Sequence, residues 1–370
     1  MASIEKRPDG SYRARWREFP GGPQRARHFA RKAGAERFLD GIRGDLLRGD
    51  YIDPTAGRVR FGEYAESWRQ AQVHRPSTEV LVESHLRLHV LPFFGERPIA
   101  SIRPSEIQAW VKGRSAGLAP TTVKTVYRFT AAIFRSAVRD RIIANTPCEE
   151  IKLPKIDRLR VVPLETEAVV RLAGAMPDRL RSLVILAAGS GLRQGEAFGL
   201  EVRHVDFLGR TLRVEQQLVS LPKREPFLGP PKTASSVRTV PLPSVVVDEL
   251  AGHFQRLDLK RERELIFTND RGAPIRRPRF GEAWHRAVRV SGLPAGTRFH
   301  DLRHYYASLL IRHGESVKVV QSRLGHASAT ETLDTYSHLW PDSEDQTRQA
   351  VEQALGAWVS TATRAIGGGG

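Results

Sequence analysis

Apolar positions recur along this chain in two rhythms. From Ser11 to Arg17, small or aromatic residues (Tyr12, Ala14, Trp16) alternate with basic ones (Arg13, Arg15, Arg17), as in a two-faced strand. Gly21-Gly-Pro marks a turn, and Gln24 to Phe29, with Arg25 and Arg27, reads as the returning strand. From Ala33 to Leu47 the spacing becomes helical, through Ala35, Phe38, Leu39, Ile42 and Leu46. Residues 3–50 are thus predicted to form a small sheet plus helix, with the arginines on the open face of the sheet.

Tyr51 to Gly57 reads as a linker. From Val59 to Pro147 the pattern is helical throughout. It predicts Phe61–Gln72, then Pro76–His89 capped by Ser77 with Glu79 in its first turn and stopped by Pro92 and Gly95. A short helix Ser105–Lys112 opens at Pro104, and a long one runs from Pro120 to Arg139. The long helix should bury Val123, Val126, Tyr127, Thr130, Ile133, Phe134 and Ala137, leaving Lys124, Arg128 and Arg135 free to meet phosphates. Residues 59–147 are therefore expected to be an all-α bundle.

A proline-interrupted basic linker, Pro147 to Pro163, leads to the largest part, expected over 164–358. Helices are predicted at Thr166–Ala175, Asp178–Ala188 and from the Gly189–Glu196 segment to Leu200. Thr211–Leu221 is β-rich, Lys232–Leu242 looks like a turn with a returning strand, and Leu265–Thr268 like a short strand. Further helices are predicted at Ser244–Leu257, Arg279–Ser291, His300–Gly314, Ser316–Leu324, Thr330–His338 and Asp342–Trp358. The closing Gly367–Gly370 run should lack fixed structure. The whole is a multidomain chain, mainly α with small β-sheets.

Composition narrows the partner. The chain has 58 Lys+Arg against 41 Asp+Glu, a net charge of +17 and a pI near 10.6, which favours a polyanion. Residues 3–50 alone hold 12 basic and 7 acidic side chains. A hydrophobic content of 40% is enough for real cores. One cysteine, Cys148, excludes an internal disulfide framework and fits a reducing cytoplasm. No long apolar run predicts a membrane span, and the N-terminus lacks the apolar stretch of a signal peptide.

Candidate chemistry gathers between His300 and Tyr336. Breaking a phosphodiester without a metal needs an in-line nucleophile, fixed positive charge at the non-bridging oxygens, and a proton for the leaving oxygen. Arg193 and Arg303 offer planar forks for phosphate oxygens. Lys232 offers a movable acid at a hairpin tip, with Lys223 as its rival. His300 and His326 can donate hydrogen bonds or carry protons, and Tyr336 can be a nucleophile. His300 and His304 stand at i and i+4, but Asp301 and the intervening Arg303 argue against a metal. Gly189-Ser-Gly-Leu has no lysine in P-loop register, so no cofactor is expected. Tyr305 and Tyr306 read as packing, and His313 and His338 as surface or capping residues.

Gly191-Leu-Arg193-Gln-Gly-Glu196, Lys232 before Arg238-Thr-Val-Pro-Leu, His300-Asp-Leu-Arg303-His304, Leu324-Gly-His326 and Thr335-Tyr336-Ser337-His338 occur in that order. Together they resemble the tyrosine recombinase (phage integrase) family, with Gly195 standing where that family often has a hydrophobic residue. The resemblance spans residues 164–340, extends to the family's core-binding domain over 59–147, and to the arm-type DNA-binding domain of mobile-element integrases over 3–50. It implies that Tyr336 attacks the scissile phosphate to give a 3′-phosphotyrosyl bond. Arg193 and Arg303 would clamp the phosphate, Lys232 act as general acid, His300 assist proton transfer, His326 bond a non-bridging oxygen, and Glu196 orient Arg193. Neither ATP nor metal is needed. Double-stranded attachment-site DNA, a homotetramer on two duplexes, and DNA-bending and directionality proteins are the implied partners. The Asp342–Trp358 helix would dock on a neighbouring subunit or cap its own domain. Two alternatives keep parts of this picture: a type IB topoisomerase, against which the separate module at 3–50 argues, and a non-catalytic DNA-binding protein.

Overall fold

The computed structural model describes residues 2–340 except 20, 49, 50, 54, 158 and 159, together with 348, 349 and 351–355. The chain divides into two units, Met1–Asp157 and Arg158–Gly370.

The first unit opens with an antiparallel sheet of β1 (Ser3–Lys6), β2 (Tyr12–Trp16) and β3 (Arg25–Phe29) in that order, followed by α1 (Lys32–Arg48). Period-2 alternation sends Ala14 and Trp16 inward onto Ala35, Leu39 and Ile42 of α1. The Trp16 indole donates to the Tyr51 hydroxyl at 2.8 Å, so Tyr51 belongs to this core and not to a linker. β1 was not predicted; it is a mostly polar edge strand.

The register corrects the expected open face of arginines. Arg25 pairs with Trp16 and Arg27 with Ala14, so both lie on the helix side. Arg27 stacks 5.2 Å from the Phe38 ring centroid, and Arg25 is ion-paired with Asp53. Arg13 and Arg15, opposite His28 and Ala26, occupy the open face. Arg17 follows them by alternation and donates to the Gly22 carbonyl of the turn.

Helices α2 (Phe61–Ala71), α3 (Pro76–His85), α4 (Leu91–Phe94), α5 (Pro104–Ser115) and α6 (Pro120–Arg139) pack around Phe61, Ile107, Ile133 and Phe134, all fully buried. Arg75, not Ser77, caps α3; with Pro76 at the first helical position, Ser77 is already inside the first turn. Pro92 does not stop the helix either. The chain widens into a π turn at Leu86–Val90 and continues into α4. On α6, Phe129 is buried where Tyr127 was expected to be fully so; the Tyr127 hydroxyl instead reaches the Cys148 carbonyl at 2.5 Å. Burial pushes the Cys148 thiol up to about 12, which leaves it inert as a nucleophile. Lys124, Arg128 and Arg135 are exposed along one face of α6.

The second unit contains α7 (Thr166–Ala175), α8 (Asp178–Ser190), α9 (Gln194–Phe198), β4 (Val205–Asp206), β5 (Thr211–Val214), β6 (Gln217–Val219), β7 (Phe227–Gly229), β8 (Arg238–Pro241), α10 (Ser244–Leu257), α11 (Arg277–Val290), α12 (His300–Arg312), α13 (Val317–Leu324) and α14 (Ala329–Tyr336). β4, β5 and β8 form one antiparallel sheet, with β6 and β7 a separate hairpin between β5 and β8 in sequence. Helix α8 lies at the centre, touched by α7, α10 and α12. Its Leu183, Val184, Leu186 and Ala187 are fully buried in the main core. Leu265–Thr268 is not a strand. Its Ile266 and Phe267 are core residues, but it pairs only through single bridges, Leu265 with Glu201 and Thr268 with Pro274.

Of the expected helix Asp342–Trp358, positions 348, 349 and 351–355 are described, as helix, and the rest lies outside the described residues, as does Gly367–Gly370. Among the described residues no helix is long and apolar enough to cross a membrane.

Candidate active site

Two helix ends build the floor of the site. Helix α8 stops at Gly191 and α13 at Gly325, both in the left-handed conformation, with φ +66° and +64°. Glycine is required at both. A Cβ on Gly191 would lie 2.4 Å from Tyr306 Cδ1, and one on Gly325 3.0 Å from the Ser235 carbonyl. Each turn presents carbonyl oxygens at the negative end of a helix.

Two arginines take those carbonyls. Arg303, on α12, is 1% exposed and donates to the Gly191 and Leu324 carbonyls, at 2.7 Å each. Burial, followed by the charge of Arg193, pulls its guanidinium down to about 9, so it is still cationic at neutral pH. Arg193 donates to the Gly325 carbonyl and the Ser236 hydroxyl, both at 3.2 Å, and to Glu196 Oε1 at 3.0 Å. Both guanidiniums are thus fixed largely by neutral oxygens and keep charge for an incoming anion.

Glu196, on α9, is 2% exposed, and its Oε2 accepts from the Arg193 backbone N–H and from Arg238 Nη2, at 3.0 Å each. Burial pushes its carboxyl up, but Arg238 and Arg193 outweigh that and hold it below the usual carboxylate range. Gly195 has a steric reason: a Cβ there would press on Gln217 Oε1 and the Leu218 carbonyl of β6, at 3.3 Å each. Arg238, at the start of β8, also donates through Nε to the Arg323 carbonyl at 2.7 Å. It therefore joins β8, α9 and the end of α13.

The turn after α13 carries His326, 7% exposed, whose Nδ1 lies 2.8 Å from the Thr332 hydroxyl. Burial, then Arg303, Arg193 and Arg238, hold this imidazole down at about 3, so it is neutral at physiological pH. In the tautomer where Thr332 donates to Nδ1, the Nε2–H is a donor, with the exposed Glu331 carboxylate 3.8 Å away. Tyr336 ends α14 in its own chain's pocket. It is 1% exposed and packs with Tyr306, Ile311, Val320 and Leu324. Its ring lies parallel to that of His326, centroids 6.4 Å apart. Its hydroxyl lies 2.8 Å from His304 Nδ1. Burial pushes the phenol up to about 12, against the pull of Arg303.

The structure thus brings Arg193, Glu196, Arg303, His326 and Tyr336 together. His300 stands at the rim, its ring perpendicular to that of His304 at 4.8 Å. The protein packed along its inner side, with His304, Arg303 and Arg193, lowers His300 to about 4; its exposed edge lets solvent moderate that. Lys232 is not at a hairpin tip. The β6–β7 tip, residues 220–226, carries Lys223, whereas Lys232 is exposed in the loop between β7 and β8. Among the described residues its ammonium makes no hydrogen bond or ion pair. Its neighbour Thr233 does reach Ser236, hydroxyl to hydroxyl at 2.9 Å, and Ser236 accepts from Arg193.

Arg238 and His304 were not assigned site contacts from sequence. Both lie inside the quoted motifs, which was the only signal. Tyr305 bonds Thr166 at 2.9 Å and Tyr306 is buried, both as packing residues. His313 is exposed at the end of α12, and His338 Nε2 bonds the Val161 carbonyl at 2.9 Å.

Residues 163–342 match the phage integrase family, and residues 61–154 match the phage integrase central domain. The chain is similar to a tyrosine recombinase XerC-like protein of Caldanaerobacter subterraneus subsp. tengcongensis, 29% identical over 350 residues covering 87% of this chain and 88% of that one. Its fold is similar to that of the Tn1549 transposon integrase in complex with transposon right-end DNA. The TM-score is 0.69 at 22% identity, covering 80% of this chain and 100% of that one. It is also similar to a lambda integrase tetramer bound to a Holliday junction, with TM-score 0.58 at 19% identity, covering 89% of this chain and 96% of that one.

Proposed function

This chain belongs to the phage integrase family, and from that premise we infer that it is a site-specific DNA recombinase of the mobile-element type. It cuts and rejoins DNA to integrate or excise an element. The observation that carries the reading is the Tyr336 phenol, set in one pocket with two guanidiniums that neutral carbonyls hold in place.

In this reading Arg193 and Arg303 grip the non-bridging oxygens of the scissile phosphate, and His326 donates Nε2–H to one of them. Tyr336 Oη attacks phosphorus, the bond to the 5′ oxygen breaks, and a 3′-phosphotyrosyl ester forms. Lys232 protonates the departing 5′ oxygen. The run of hydrogen bonds from Thr233 to Ser236 and on to the Arg193 guanidinium supports this, because it links the Lys232 loop to the phosphate clamp. His300, at the rim, assists proton transfer, and Glu196 with Arg238 fixes Arg193. The ester conserves the phosphodiester bond energy, so a 5′-hydroxyl of a second duplex can reverse the step without ATP.

DNA is held by the basic surface of the first unit: Arg13 and Arg15 on the open face of β2, and Lys124, Arg128 and Arg135 on α6. Residues 3–50 act as an arm-type module, 59–147 as a core-binding module and 164–358 as the catalytic domain. A homotetramer on two duplexes, aided by DNA-bending and directionality proteins, is the working assembly, and the protein acts in the cytoplasm on nucleoid DNA.

The test is a nicked duplex spanning the junction of the element that carries this gene. The wild-type chain should become covalently attached to the DNA and survive detergent. Tyr336→Phe should lose the adduct entirely while still shifting the duplex in a gel. An adduct formed by Tyr336→Phe would falsify the assignment.

A further inference from the structure

The buried phenol must lose a proton at the moment it attacks, and among the described residues its hydroxyl has one hydrogen-bonding partner, His304. We propose that His304 is the proton acceptor for Tyr336, its Nδ1 taking the hydroxyl proton as Oη bonds to phosphorus. The proposal rests on the reading of Tyr336 as the nucleophile.

Three observations support it. First, the hydroxyl is 2.8 Å from His304 Nδ1, within the reach a general base needs. Second, the alternatives are otherwise engaged. His326 lies ring-parallel to Tyr336 and spends Nδ1 on Thr332, whereas Lys232 is exposed in its loop. Among the described residues His300 makes no hydrogen bond to Tyr336 and stands edge-on to the His304 ring at 4.8 Å. Third, Tyr336 is 1% exposed whereas His304 is half-buried, so His304 connects a sealed hydroxyl to the solvent side of the pocket.

The charge state agrees. Burial lowers the His304 imidazole below its ordinary value, and Arg303 adds to that while Asp301 opposes it. The ring is neutral at physiological pH and has a lone pair to offer.

The Tyr336 O–H bond breaks to His304 Nδ1 as the oxygen–phosphorus bond forms. The bond from phosphorus to the 5′ oxygen breaks, and that oxygen takes its proton from Lys232. On rejoining, the incoming 5′-hydroxyl attacks phosphorus and gives up its proton to Lys232. The departing phenolate recovers its own from the His304 imidazolium, and every group returns to its starting state.

The experiment is single-turnover adduct formation on the nicked junction duplex, made with either oxygen or sulfur at the 5′ bridging position. A thiolate leaves without protonation, so the sulfur substrate rescues a missing acid and not a missing base. His304→Ala should slow the adduct roughly 10²- to 10⁴-fold on both substrates. Lys232→Ala should be slow on oxygen and recover on sulfur. His304→Asn, which can hydrogen-bond but not accept a proton, should be as slow as His304→Ala if both bind DNA and unfold normally. Near wild-type rates for His304→Asn would overturn the proposal and leave His304 a positioning residue. Recovery of His304→Ala on sulfur would also overturn it, by assigning His304 to the leaving group. Tyr336→Phe, run alongside, reports separately on the nucleophile: an adduct there defeats that reading and this proposal together, whereas the His304 outcomes leave it standing.

Discussion

At the scale of single residues, the site is a set of cations anchored largely on neutral oxygens, with Glu196 as the buried carboxylate that Arg193 and Arg238 share. That carboxyl is held low, so the stability it contributes is fully present above its unfolded value near 4.3 and is lost as pH falls through its lower folded value. Glu196→Gln should therefore lose about 3 kcal/mol at pH 7, because Arg193 and Arg238 lose their counter-charge. Its stability should also decline less steeply between pH 5 and pH 3 than the wild type's, by urea unfolding at each pH. An unchanged acid limb would show that Glu196 is not the group responsible. Motif order made the cluster of Arg193, Glu196, Arg303, His326 and Tyr336 legible in the sequence. How these residues are held was not legible. Arg238 reads as an ordinary alternate position of a strand, and His304 as an i+4 neighbour of His300. Their partners, the Arg323 carbonyl and the Tyr336 hydroxyl, lie 85 and 32 residues away. Backbone carbonyls, which anchor both arginines, leave no trace in side-chain identity.

At the scale of elements, the helical periodicities located nearly every long helix to within a few residues, because an apolar stripe must meet a core. The pattern failed where a local rule met a tertiary constraint. Pro92 was expected to end a helix and is absorbed by a π turn instead. The helix after Gly189 was drawn to Leu200 but is only Gln194–Phe198. Its Gly195 and Gly199 lie against β6, and a Cβ on Gly199 would come within 2.7 Å of the Leu218 nitrogen. The pairing of β6 with β7, apart from β5 and β8, depends on contacts no local window contains. The turn between α13 and α14 is where element geometry sets chemistry. Gly325→Ala should cost about 1–2 kcal/mol for a side chain in the left-handed region, and press on the Ser235 carbonyl at 3.0 Å. Because the Gly325 carbonyl anchors Arg193, adduct formation should slow as well. A variant with lowered stability and an unchanged adduct rate would show that this anchor does not govern the clamp.

At the scale of the whole molecule, a net charge of +17 has to be divided between cations that meet DNA and cations that hold the protein together. Sequence alone treated Arg13, Arg15, Arg25 and Arg27 alike, since alternation within each strand does not say which faces match across the pair. The register separates them. Arg13→Ala with Arg15→Ala should reduce the slope of log affinity against log salt by about 2, as expected for two lost phosphate contacts. Arg25→Ala with Arg27→Ala should leave that slope unchanged and lower the melting temperature, through loss of the Asp53 pair and the Phe38 stack. Equal slopes for the two doubles would refute the division of faces. The sheathed phenol has a consequence at this scale too. Because its own chain covers it, the hydroxyl can meet a phosphate only once that cover shifts, so a step of rearrangement has to come before the chemistry.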